Sequence, residues 1–501
     1  MTVSHAQTPH ARAHAAPIEP PLNARYGWIV AVALLALAPN IVLTTAFTLL
    51  QKPIAHDLHL SKLAIQESEG ISNACYAFGA VLGAFLTQRF RQRPLFLNVE
   101  ALFVVGSILA TTAWAPIPYF VGRVIQGFAT GLMLVVALPP LITRYGVRKL
   151  PGTAAAVNIG LFGAVTVGPI LAGVVAGVSW RIVFGVVTIA GAVGLGIAVL
   201  ALPDIDAFDR GRKPDVPAFG LAIVATVLPF FATSQLVSAR FGQAIVFAPL
   251  IVGLLVLIAL IVEQYRKAEA LMPVEALSTS LPVMGTLAAM VAGAAFVTIS
   301  ELSATAALQG KRESPLRVGV MSSPGIAGVA IAAVVFALLF RTRYLPVLVA
   351  VGMLLIIGGG VLAAIGTSAA NSLASSALLG AGAGATVSPG LFIAGMGVPS
   401  NRIGRAFALV ELLRSEAAYL VGPVLLYVAM LHRPLQHGIV FATWITVGVA
   451  AAGLVGLVAL FVASGARLHA PDLEAWVDRG EQALESPYPA ERVVQKVVRS
   501  T

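Results

Sequence analysis

Six ionisable residues interrupt stretches that are otherwise built from alanine, glycine, leucine and valine: Glu100, Arg123, Glu301, Glu411, Arg414 and Glu416. A carboxylate in such surroundings can take up and release a proton, and an arginine can hold a carboxylate or an anionic group, so their chemistry is charge movement rather than bond cleavage. Glu411 and Arg414 are three residues apart and share a helical face, where each can neutralise the other; Tyr419 follows on the same segment. Arg414 could alternatively bind an anionic substrate. No catalytic constellation accompanies these residues. The single cysteine, Cys75, lies in an apolar run, which excludes an intramolecular disulfide framework and a thiolate metal site. No GxxxxGK[ST] loop is present to hold a nucleotide. His5, His10 and His14 could bind a metal, but a solvated tail accounts for them more simply, and no metal site is expected.

These charges must be carried by membrane-spanning helices. Of 501 residues, 58% are hydrophobic and 11% charged, with a mean hydropathy of +0.91, whereas soluble proteins are about 25% charged. About fourteen segments reach the roughly 20 apolar residues a bilayer crossing needs. They include spans one at 28–50, two at 71–88, four at 116–142, five at 153–177, nine at 281–309, thirteen at 404–431 and fourteen at 438–464. Their composition lacks strand-length alternation, which selects helices over a barrel. Lys and Arg in alternate loops divide about 22 to 8, so both termini are expected in the cytoplasm and the span number is even. The net charge of +10 is scattered over short loops, which argues against nucleic acid as a partner.

An internal duplication shapes the order of these spans. Phe90-Arg91-Gln92-Arg93-Pro94 after span two is echoed by Phe340-Arg341-Thr342-Arg343 after span ten, and Val167-Gly168-Pro169 in span five by Val421-Gly422-Pro423 in span thirteen. The offset of eight spans fits two six-helix bundles separated by two further helices. The expected organisation is a disordered cytosolic tail at 1–27, an N-terminal bundle at 28–202 and a cytosolic linker at 203–217. Two extra helices with their loop follow at 218–280, then a C-terminal bundle at 281–464 and a cytosolic tail at 465–501. Within that last tail, 472–498 is expected to form one amphipathic helix broken near Pro487 and Pro489.

Several motifs together resemble the fourteen-span drug:proton antiporter branch of the major facilitator superfamily, over residues 28–464. Gly163 and the run Gly168-Pro169-Ile170-Leu171-Ala172-Gly173 are similar to that family's antiporter motif, with alanine at the first closing glycine. Small residues let helices approach closely and proline removes a backbone hydrogen bond, a combination suited to a helix on which domains rock. Gly122-Arg123-Val124-Ile125-Gln126-Gly127 resembles the family's RxxQG motif, whose arginine is associated with proton coupling. The turn from Gly83 to Arg91 matches the family loop in glycine and basic charge only, with Thr87 in place of its aspartate. Ser179-Trp180-Arg181 resembles the family's start of span six. Span one departs from the branch: it offers Asn40, Thr44, Thr45 and Thr48 where many members carry an aspartate.

The resemblance implies an all-α membrane protein of the major facilitator fold, with two six-helix bundles plus two intervening transmembrane helices. It also implies secondary active transport by alternating access: proton-coupled export of small organic or drug-like molecules. Proton-coupled uptake of an organic acid or metabolite, and a non-transporting membrane sensor, are the alternatives. Arg123, Glu301 and Glu411 are the expected proton-coupling residues, Glu301 the principal one, with Arg123 at nearly equal depth on a facing bundle and able to pair with it. Asn40, Thr44, Gln126, Asn158, Arg414 and Tyr419 are expected on the substrate cavity. Gly83, Arg91, Gly127, Gly168, Pro169, Gly173, Gly422 and Pro423 are expected to serve conformational change. No cofactor is implied beyond a proton gradient. The expected partners are a small-molecule substrate and the lipid bilayer, and the resemblance allows a periplasmic adaptor and an outer-membrane channel. The Ala/Gly-rich, Arg-rich composition suggests a bacterial inner membrane.

Overall fold

A computed structural model describes residue 22, residues 25–366 and residues 368–489. The expected N-terminal tail, with its histidines, lies outside the described residues apart from residues 22 and 25–27. Fifteen α-helices make up the described fold: α1 Tyr26–Asp57, α2 Lys62–Arg89, α3 Gln92–Thr111, α4 Pro116–Thr143, α5 Leu150–Val175, α6 Arg181–Ala201, α7 Val216–Ser234 and α8 Ala244–Arg266, then α9 Ser280–Thr305, α10 Pro315–Ser322, α11 Pro324–Leu339, α12 Leu345–Ile365, α13 Ala369–Met396, α14 Ile403–Met430 and α15 Leu435–Ser464. α10 and α11 are two pieces of one span, so fourteen helical stretches are long and apolar enough to cross a membrane. The turn residues have identifiable tasks. Ser61, Asp215, Ser314 and Ser368 cap α2, α7, α10 and α13 by accepting a backbone N–H, satisfying donors that no helical turn can reach.

Packing sorts the helices into two groups and a hairpin. In the first group α1 lies along α5 and α6, α2 along α4, and α3 along α4 and α6. In the second, α9 packs on α13, α14 and α15, while α12 and α11 pack on α13. The groups meet reciprocally: α2 against α14, and α5 against α10 and α11. These are the two pairs of spans that carry the repeated sequence elements. α7 and α8 pair with each other, and α7 rests on α2 and, less extensively, on α14.

Two features differ from the sequence expectation. α2 begins at Lys62, nine residues before the expected start of span two at 71, because a capped helix continues through the polar stretch 62–70 before it reaches the apolar run. The segment 472–489 is not a long amphipathic helix; its helical part is confined to residues 473–479, mostly one wide turn, Ala475–Arg479, ended by Gly480 in the left-handed conformation. The rest of the expected helix lies outside the described residues. Trp476 explains the difference: it is fully buried and its indole N–H donates to the Val398 carbonyl at 3.0 Å, drawing the chain onto the end of α13 instead of letting it run free.

The 202–215 connection is held at the tail end of the first group. Arg91 pairs with Asp204 at 2.6 Å, and Gln92 N–H donates to the Ile205 carbonyl. Beside it, Asp215 Oδ1 accepts from Lys267 Nζ at 2.6 Å and Oδ2 from Gln264 Nε2 at 3.1 Å. Burial alone would raise the Asp215 carboxyl, but these donors hold it below the ordinary carboxylate range.

Candidate substrate cavity

Between the two groups lies a cavity of about 380 Å³. α1, α2, α4 and α5 line one side and α9, α10, α12, α13, α14 and α15 the other; α7 and α8 contribute nothing to its wall. Its rim, at the end carrying the α1–α2 turn, includes exposed Lys311 and Gln436. Towards the end carrying the chain's tails it stops at Leu134, Leu391 and Glu411.

Helical spacing brings the polar lining into register. Asn40, Thr44 and Thr48 of α1 recur every four residues, and Glu69, Asn73 and Tyr76 of α2 follow the same face; all six line the cavity. Glu69 is buried, with Thr44 and Asn73 beside its carboxylate. Arg123 reaches it from α4: Nη2 donates to Glu69 Oε2 at 2.5 Å, with the two side chains 1% and 8% exposed. Arg123 Nη1 also donates to Gln126 Oε1 at 3.1 Å, and Gln126 Nε2 donates to Ser107 Oγ on α3 at 3.0 Å. A continuous polar chain therefore runs from the cavity wall into the core of the first group.

The expected Arg123–Glu301 pairing is not formed; Arg123 is taken by Glu69 on its own side. Sequence reading placed Glu69 outside the membrane because it precedes the apolar run of span two. Its i, i+4, i+7 relation to Asn73 and Tyr76 was the signal that a polar helical face continued. Glu301 also lines the cavity, within coulombic reach of Glu69 across it, and makes no hydrogen bond or ion pair with any described residue. Gly422 of α14 makes room for it: a Cβ there would lie 2.7 Å from Glu301 Oε2.

Glu411 is fully committed. Arg414 forks onto it from the next turn, Nε to Oε2 at 2.9 Å and Nη2 to Oε1, and Tyr76 OH donates to Oε1 at 2.7 Å from the opposite group. Arg414 and Tyr419 line the cavity with it. Arg414 is thereby neutralised on its own helix, which leaves it a weak candidate for holding an anion.

Gln126 and Asn158, expected on the cavity wall, lie off it. Gln126 is wholly buried in the Arg123 chain, and Asn158 Nδ2 donates to the Gly384 carbonyl at 2.8 Å in the seam between groups. Glu100 and Glu416 are likewise buried away from the cavity, each with both carboxyl oxygens lacking a hydrogen-bond partner.

The expected conformational residues sit at helix contacts. Gly168 lies against the α1 backbone at Val42, and Gly173 against α10, where a Cβ would come 2.6 Å from the Pro315 carbonyl oxygen. The Pro169 carbonyl in turn faces Gly319. Gly127 faces the Ser72 carbonyl of α2, and Gly83 faces Leu132 and Val135 of α4. Pro423 lines the cavity. At the far end, Trp180 Nε1 donates to Asp57 Oδ2 at 3.0 Å and Arg181 pairs with the same carboxylate, so the Trp-Arg start of α6 fastens the end of α1.

Two groups of membrane-crossing helices enclosing a polar, partly charged cavity define a multi-pass membrane protein built to take a small solute between its halves. The model of the Major Facilitator Superfamily matches residues 29–423, and the chain belongs to that superfamily of transporters. It is 26% identical over 408 residues to the uncharacterized MFS-type transporter YubD of Bacillus subtilis, covering 78% of each chain. It is 27% identical over 343 residues to the drug efflux pump JefA of Mycobacterium tuberculosis, 66% of each, and 28% identical over 262 residues to the cephamycin export protein CmcT of Amycolatopsis lactamdurans, 51% of this chain and 54% of that one. Among solved structures, it shares its fold with a POT family transporter in complex with 5-aminolevulinic acid (TM-score 0.62, 14% identity, 86% of this chain and 95% of that one). It shares it also with the human organic anion transporter MFSD10 (TM-score 0.58, 14% identity, 87% and 100%). The chain is a transporter, not an enzyme.

Proposed function

We propose that this transporter exports small organic molecules across a bacterial inner membrane in exchange for protons, with bundles 28–202 and 281–464 rocking about the cavity. The observation that carries the reading is Glu301: an ionisable group on the cavity wall with no hydrogen-bond or ion-pair partner among the described residues, facing Glu69, which is held by Arg123. A carboxylate that faces water and is free of a fixed counter-ion can exchange a proton or a cationic group with whatever enters, whereas Glu411 is locked by Arg414 and Tyr76. Proton arrival at Glu301 or Glu69 removes negative charge from the cavity and so favours release of a bound cationic substrate. The Lys and Arg distribution favours the open end lying on the outside. Drug efflux and cephamycin export among the relatives favour export over uptake.

The test is transport by purified protein in liposomes with an imposed proton gradient, supplied in turn with organic cations, organic acids and neutral drugs. Export coupling predicts that substrate moves against the direction of proton flow. Glu301→Gln should abolish gradient-driven transport while leaving substrate binding measurable. Wild-type proton-driven rates in Glu301→Gln would remove Glu301 from the mechanism, and movement of substrate with the protons would replace export by uptake.

A further inference from the structure

On the outer face of the second group, away from the cavity, α9, α12, α13 and α15 leave a groove of about 180 Å³. Its wall is carbon apart from one thioether, and includes Leu281, Met284, Pro346, Ile393, Phe461 and Leu468. Leu281 and Pro346 are the second residues of α9 and α12, Ile393 is near the end of α13, and Leu468 follows α15. All four therefore lie at one membrane boundary, the one where the chain's tails emerge.

Two arginines lie close in sequence to groove residues at that boundary. Arg467 immediately precedes Leu468, and Arg343 lies three residues before Pro346. Both are exposed, and neither has a carboxylate within 4.0 Å among the described residues. Arg343 lies over the ring of Tyr344 at 5.1 Å and donates to its hydroxyl at 3.0 Å. An arginine fixed on a tyrosine at this level is suited to a phosphate at the headgroup layer. A hydrocarbon groove by itself selects nothing in a bilayer, because lipid tails are as apolar as the wall. Selectivity has to come from the charged rim.

We propose that this groove holds an acyl chain of an anionic phospholipid whose phosphate lies on Arg343 and Arg467. Leu468 belongs to the segment that continues to Trp476 and on to the backbone bonds from Ala483 and Leu484 to the Met396 carbonyl and from Ser280 to the Pro487 carbonyl. A lipid in the groove therefore braces the C-terminal segment against α9 and α13.

The experiment is native mass spectrometry and thermal unfolding of the full chain in detergent, delipidated and then given phosphatidylglycerol or phosphatidylcholine. Two basic contacts predict retention of phosphatidylglycerol over phosphatidylcholine by roughly tenfold or more, with a higher unfolding temperature. Arg343→Gln with Arg467→Gln should abolish the preference without unfolding the protein. Ala350→Phe, which fills the groove, should abolish retention; Val458→Phe replaces it if that variant does not fold. Equal retention of the two lipids, or a preference that survives both the double arginine variant and groove filling, overturns the proposal.

Discussion

The sharpest consequence of the site is energetic and concerns Arg123 and Glu69. Their charged atoms are 2.5 Å apart and their side chains are 1% and 8% exposed. At an effective dielectric constant near 20, unit charges at that distance attract by about 7 kcal/mol. Desolvation consumes most of it, but the two effects separate on mutation. Removing one partner strands the other's charge and costs about 3–5 kcal/mol, whereas replacing both by apolar residues is neutral or stabilising by about 1–4 kcal/mol. Glu69→Gln leaves Arg123 with Gln126 and the Phe184 ring, whose centroid is 6.0 Å away, and so falls at the low end, about 3 kcal/mol. Arg123→Met leaves a buried carboxylate beside Thr44 and Asn73 and falls at a similar value. The cycle is closed with the single variant Glu69→Leu, which strands Arg123 at least as severely as Glu69→Gln, and the double variant Glu69→Leu with Arg123→Met should unfold near wild type. The assay is reversible unfolding in mixed micelles followed by helical circular dichroism, analysed as a double-mutant cycle. Single-variant losses below about 1 kcal/mol, or a double-variant loss equal to the sum of the singles, would refute the buried pair as drawn.

Tyr76→Phe removes a hydrogen bond from the Glu411 carboxylate across the two groups, about 1.5–3 kcal/mol for a charged acceptor, and should loosen the tail end. Distance distributions between spin labels at positions 148 and 402 should broaden to longer values, and an unchanged distribution counts against that bond as a latch. Gly422→Ala places a methyl 2.7 Å from Glu301 Oε2, a mobile side-chain tip. It should keep or slightly raise stability, because alanine favours helix, while lowering proton-driven transport; equal transport would show that Glu301 tolerates the shift. Asp215→Asn should destabilise at pH 7. Asp215's folded value is depressed, so its contribution is full above its unfolded value of about 3.9 and is lost as pH falls through the folded value. The melting difference from wild type should therefore shrink towards pH 3.

Much of this molecule was legible because lipid forces the chain's hand. Spans declare themselves by length and hydropathy, and the repeated elements in spans two and ten and in spans five and thirteen pointed to a duplication; the structure brings the same four spans together, two against thirteen and five against ten. What escaped was anything decided by side-chain partnership. A hydropathy window ends where charges begin, so Glu69 fell outside the expected span although α2 carries it into the cavity wall. Without Glu69, Arg123 had no partner on its own bundle, and Glu301 was the nearest charge to give it. Gln126 and Asn158 were misplaced for the converse reason. A polar residue in a span needs a partner, and a serine hydroxyl or a free helix carbonyl satisfies it as well as cavity water does.

The seam between the two groups bears on whether such a fold can reverse its open end. Among the described residues, hydrogen bonds seen across it are Tyr76 to Glu411, Asn158 to the Gly384 carbonyl, and Arg341 to the Val147 carbonyl. The first is worth about 1.5–3 kcal/mol and the second about 0.5–1.5; Arg341 is exposed and adds little. Their sum, about 2–4.5 kcal/mol, is below the 5.5 kcal/mol or so that moves a two-state equilibrium from 1:99 to 99:1. Where α5 crosses α10 the seam is close glycine contact, Gly173 on Pro315 and Gly319 on Pro169, which slides without leaving a charge or a donor stranded. By contrast, the Arg123–Glu69 pair lies wholly within the first group and need not break when the groups move. The charges that are costly to separate therefore belong to one rigid unit, while the hydrogen bonds named at the boundary between units sum to less than the differential that reverses such an equilibrium.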